Sequence, residues 1–130
     1  MYNEVLLDDD MIIVSETDQS GRIVYVNDDF CKMCGFSKDE LIGKPHNIVR
    51  HKDMPRIAFK GLWESIQKPE IWNGIVKNKT KNDDFYWVNA TVFPSKTIDG
   101  QVRYVSVRVK PTKEEVETAS QLYKKLLQGE

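Results

Sequence analysis

The sequence predicts an α+β fold, a five-stranded antiparallel sheet with short helices covering one face around a ligand pocket. Three observations predict it. Two short apolar runs near the start are separated by turn residues. Three longer β-branched and aromatic runs near the end are joined by two more turn segments. Between the two groups lie the capped, helically spaced stretches, which must cover a face of the sheet and so leave room to bury a small molecule.

Each element has a local reason. Met11 to Ser15 and Ile23 to Val26 flank "TDQSG", where Gly21 is available for a positive φ. Asn27 and Asp28 can cap a short helix, "DDFCKMCGF", that Gly35 ends. In "SKDELIG", Ser37 is an N-cap, Glu40 sits three residues on as in a capping box, and Gly43 stops the turn. Ile57, Phe59, Leu62, Trp63 and Ile66 have helical spacing behind Pro55, and "PEIWNG" breaks that helix. The spacing places Trp63 in the core. "GIVKNKT", "FYWVNATVFPS" and "VRYVSVRVK" are the last three strands, linked through "KNDD" and "KTIDG". Pro94 marks an edge or a bulge. Thr112 caps a final amphipathic helix whose stripe is Val116, Ala119, Tyr123 and Leu126. That stripe suits either this domain's own sheet or a partner.

The 130 residues suit one domain, with residues 1–10 as an N-terminal segment, 11–111 as the folded core and 112–130 as a connecting helix. A net charge of −1 with mixed signs excludes the basic stripe of a nucleic-acid surface. No apolar run approaches the ~20 residues that span a bilayer and no signal peptide opens the chain, so a cytoplasmic module is expected. Cys31 and Cys34 form a C-x-x-C, but no second ligand pair accompanies it, and packing with free thiols is the expected role. No nucleophile–base pair or open metal site is visible, so the chain is not expected to be an enzyme.

The densest polar chemistry lies in "PHNIVRHKDMP", residues 45 to 55, which holds both histidines. A metal or haem site, a catalytic site and a clamp for an anionic cofactor all fit that composition. His46 would be the haem ligand.

The stretch "GRIVYVNDDFCKMCGFSKDELIGK" resembles PAS domains, in its turn Gly21, the "VND.F" at Val26 to Phe30 and the "GFS..EL.G" from Gly35 to Gly43. "PHNIVRHKDMPRIAFKGLWESI" and "WNGIVKNKTKNDDFYWV" narrow this to the FAD-binding PAS domains of aerotaxis receptors and related energy-taxis transducers, over roughly residues 9 to 126. The resemblance implies a PAS fold, non-covalent FAD, and a redox signal passed to a chemotaxis module in the same receptor chain or a homodimer. It implies that Arg50, His51 and Asp53 serve FAD binding, with Trp72 and Asn78 in the flavin pocket. The residues suit those roles. Arg50 offers a planar donor fork for phosphate, and His51 can donate from one nitrogen while Asp53 fixes the other. Strand alternation puts Trp72, Gly74, Val76 and Asn78 on one face. Val88 and Ala90 leave room for a flat ring, and Ser106, on the same face as Tyr104 and Arg108, is small and polar. Asn78 is the expected reporter of a change in donor pattern at the flavin. A cofactor-free dimerisation or relay module and a haem gas sensor are the alternatives. A light-driven flavin–cysteine adduct is not expected, because "HNIVRH" has no cysteine where it would be needed.

Overall fold

The computed structural model describes residues 3–67 and 70–129, and the side chains of 65–67 lie outside the description. The Ile66 side chain and Pro69, the first residue of the expected break, therefore fall outside the described residues. Strands β1 (Ile13–Thr17) and β2 (Ile23–Val26) form the first hairpin, β3 (Trp72–Lys79), β4 (Phe85–Lys96) and β5 (Val102–Val109) the second group. They pair antiparallel throughout in the order β2-β1-β5-β4-β3, so the two groups join through β1 and β5.

Local chemistry sets most boundaries. The Asp18 carboxylate accepts the backbone N–H of Ser20 and Arg22 at 2.9 and 3.0 Å and closes the first turn. Gly21 has φ +87°, and a Cβ there would meet the Trp63 ring at 3.3 Å, so glycine is needed for conformation and for space. β1 begins two residues later than its apolar run. The Met11 N–H turns back to the Asp8 carbonyl and the Ile12 N–H goes to the Asp29 carboxylate, so neither joins the ladder. Helix α1 (Asp28–Cys34) is capped by Asn27 and ended by Gly35 at φ +80°. The short α2 (Lys38–Leu41) carries the expected Ser37–Glu40 capping box. A 3₁₀ helix, His46–Val49, follows, and α3 (Arg56–Gln67) comes after Pro55. Pro94 lies beyond the last β3–β4 pair, Trp72–Val92, where β4 has a neighbour on one side only.

The core sits between the inner face of the sheet and the first helices. Ile13, Ile23, Phe30, Leu41, Val49, Tyr86 and Val88 are all buried there. The N-terminal segment also belongs to the packed unit, since the Val5 N–H bonds the Phe85 carbonyl and Leu7 is buried. The short helices between β2 and β3 cover the inner face, as expected. α4 (Lys113–Gln128) folds back over the outer face: Ala119 is buried, Tyr123 stacks on Trp87 at 6.3 Å, its hydroxyl bonds the Ile75 carbonyl, and the Asn89 amide reaches Glu115 at 3.0 Å. Of the amphipathic stripe, Ala119 and Tyr123 thus pack within the chain, while Val116 and Leu126 are half-buried.

Candidate functional site

A cavity of about 260 Å³ lies between the inner face of the sheet, the 3₁₀ helix and α3. Period-two alternation points Trp72, Val76 and Asn78 of β3, Ala90 and Val92 of β4, and Tyr104, Ser106 and Arg108 of β5 into it. Phe59, Leu62 and Trp63 of α3 form the opposite wall. Trp63 packs edge-on against Tyr104, with ring centres 5.6 Å apart. It lines the cavity beside the first turn, so its helical spacing concealed a site residue.

At one corner Arg108 is almost fully buried, and its Nη2 donates to Ser15 Oγ at 2.9 Å and to His46 Nε2 at 2.8 Å. A guanidinium only donates, so Nε2 is an acceptor and the imidazole proton sits on Nδ1. Ser15 Oγ lies 3.0 Å from the same nitrogen. Burial, and then the Arg108 charge, push the His46 pKa down to about 3, so the ring is neutral. Burial likewise lowers Arg108 to about 10, which leaves it a cation at neutral pH. Phe30 supports the corner: the guanidinium carbon lies 5.3 Å from its ring centre and His46 meets it edge-on. Two buried polar atoms here, Ser106 Oγ and Arg108 Nη1, have no hydrogen-bond partner among the described residues.

Of the residues the sequence singled out, Arg50, Trp72, Asn78, Ala90 and Ser106 line the cavity. Asn78 is buried beside Tyr86, its cross-strand neighbour, which is also buried. Arg50 lies at the exposed rim with its guanidinium over the Phe59 ring at 4.7 Å. Val88 shares the inner face but is sealed in the core and does not reach the cavity. His51 and Asp53 do not reach it either. The chain is extended at Arg50, so its successor turns to the other side of β3. There His51 meets Phe85 edge-on, and the Asp53 carboxylate bonds the Lys77 ammonium at 2.9 Å. Asp53 touches the His51 ring through its backbone N–H, which donates to Nδ1 at 3.0 Å, while its carboxylate stands 3.7 Å away. Sequence reasoning put Arg108 on the same face as Ser106 without giving it a role, and missed Ser15 and His46 as its polar partners. The signal for Arg108 was a lone cation at an inward position of an otherwise apolar strand.

No group of three or more metal-ligating side chains occurs among the described residues. His46 Nε2, the nitrogen that would meet a haem iron, is already engaged by Arg108 and Ser15. Cys34 is buried, Cys31 half-buried, and burial pushes both thiols up, as suits packing residues.

The family model for the PAS domain matches residues 9–109, most of the chain and all five strands. The chain belongs to the PAS domain family. Among curated relatives, this PAS domain is 44% identical to the aerotaxis receptor of Escherichia coli over 95% of its own length and 24% of the receptor's. It is 31% identical to the biofilm dispersion protein BdlA of Pseudomonas aeruginosa over 71% of the chain and 22% of that protein. The PAS domain therefore spans a quarter or less of these relatives. In three dimensions it resembles the light-state structure of the blue-light photoreceptor Aureochrome1 LOV, with a TM-score of 0.70, 20% identity, and coverage of 87% of this chain and 88% of that one. That likeness establishes the fold. No helix among the described residues is long and apolar enough to cross a membrane.

Proposed function

We propose that this PAS domain holds a flavin, FAD, non-covalently and reports its redox state within a bacterial aerotaxis or energy-taxis transducer. One observation carries the reading: Ser106 Oγ and Arg108 Nη1 are buried beside an aromatic-walled cavity without a protein partner. Leaving such atoms unpaired costs about 1–3 kcal/mol each, so they call for a ligand with hydrogen-bond acceptors. The carbonyl edge of an isoalloxazine fits that donor set, and the apolar walls fit its flat ring. When bound, the flavin would supply one- and two-electron redox chemistry. The cavity volume suits the ring system alone, so the rest of a dinucleotide would extend past the rim, where Arg50 offers phosphate a cation.

In this reading Arg108 and Ser106 fix the ring's edge, His46 and Ser15 fix Arg108, and Asn78 turns its amide to the ligand. Asn78 is thus placed to register a change in the ligand's donor–acceptor pattern. The similarity to the aerotaxis receptor supports the redox role. Helix α4 would connect the sensor core to other domains of a receptor chain, to a second copy or to a chemotaxis signalling module, on the cytoplasmic side. The chain's own residues offer binding and no reaction of their own, and no cysteine lines the cavity for an adduct.

The test is an absorbance spectrum of the purified domain, then chromatography of any ligand released on heating. Flavin bands with FAD released are expected. A colourless protein that takes up no added FAD would favour the cofactor-free relay.

A further inference from the structure

We infer that Lys77 is a positioning residue for Arg50, acting on ligand recognition from the opposite face of the sheet; the inference rests on the flavin reading above. Arg50 and His51 pair with the free edge of β3, and the chain then turns, the Met54 N–H donating to the His51 carbonyl at 3.1 Å. Arg50 bridges Asn78 antiparallel, the His51 N–H donates to the Lys77 carbonyl at 3.3 Å, and the Lys77 N–H points to Met54 Sδ at 3.3 Å. Lys77 stands between Val76 and Asn78, both of which line the cavity, yet its own side chain projects the other way. There its ammonium bonds Asp53 and lies over the rings of Phe85 and Trp87, 4.4 and 5.7 Å from their centres.

The arrangement is a clasp. The His51–Lys77 backbone bond is long at 3.3 Å, and the other bond ends on the Met54 thioether, a weak acceptor. The ion pair closes the same loop from outside, with Lys77 only 15% exposed. Two aromatic faces keep the ammonium in one place. Arg50 has its backbone in the bridge and its guanidinium on Phe59, so its reach across the rim follows the path of 50–54. Lys77, Asp53 and His51 therefore serve the ligand without touching it, which explains why so polar a segment can face away from the cavity.

The experiment is a titration of the purified domain with FAD and with riboflavin, which lacks phosphates, for wild type, Lys77→Met, Arg50→Met and the double variant. Lys77→Met keeps the unbranched apolar stem and removes the charge. We expect Lys77→Met and Arg50→Met each to weaken FAD about tenfold, the size of one charge-assisted hydrogen bond, and to leave riboflavin within about twofold. The double variant should be no weaker than Arg50→Met alone. Equal loss for both ligands, additive losses in the double variant, or no loss would overturn the inference. If wild type binds neither flavin, the functional reading fails separately. Amide hydrogen exchange then decides: faster exchange at His51 in Lys77→Met retains the clasp, and unchanged exchange removes it.

Discussion

On the outer face of the sheet the polar side chains are answered from within the chain: Lys77 by Asp53, Asn89 by Glu115, Tyr123 by the Ile75 carbonyl. On the inner face, a few ångströms away through the same strands, Arg108 is answered only in part and Ser106 not at all. Both faces mix aromatic and charged groups, so composition does not separate them. Satisfaction does. Folding alone selects for paired polar groups. A buried cation with spare donors beside a cavity is tolerated when something else completes it. The outer face is therefore read as structure and the inner face as a site.

Substitutions can break this contrast. The largest effect is expected for Phe30→Ala. Phe30 is buried at the centre of the core and carries both Arg108 and His46 on its ring. Its loss should cost about 3–5 kcal/mol in denaturant melts, enough to endanger the fold.

Acid should act next, and from the inner face. The His46 pKa is about 3 in the fold against 6.5 as its ordinary value, so between those values the unfolded chain holds a proton that the folded chain refuses. Stability then falls as pH falls through that window, by at most about 1.4 kcal/mol per pH unit for one histidine. His51 is shifted the same way, by burial and then by the Lys77 charge, but it is only partly buried. Urea melts from pH 7.5 to 5 should show the slope. His46→Gln should flatten it more than His51→Gln does. The smallest effect is on the outer face. The Asp53 carboxylate is half-exposed, so Asp53→Asn should change global stability by only about 0.2–1 kcal/mol in the same melts.

What was legible in the sequence follows the range of the forces involved. Asn27, Ser37, Gly35 and Gly21 declare caps and turns because each acts within a few residues. The inward face of β3, β4 and β5 was legible from alternation, and Trp72, Asn78, Ala90 and Ser106 of that face line the cavity. His51 and Asp53 sit in a segment with no helical or strand period, so nothing local tells which way they face. Arg108 was placed on the inner face of β5, but its partners were not legible. Its burial depends on Ser15, His46 and Phe30, which lie 62 to 93 residues away in sequence for the two hydrogen-bonded partners. Trp63 shows the converse error, since helical spacing cannot distinguish a packed wall from a cavity wall.

The most direct measurement pairs an FAD titration with a denaturant melt of the apo domain, for wild type and Arg108→Met. The account predicts opposite responses. FAD affinity should fall at least about tenfold, because a charged donor to the ligand is gone. Apo stability should stay level or rise, because an incompletely paired buried cation is replaced by an apolar side chain. Undiminished FAD affinity in Arg108→Met would contradict the account.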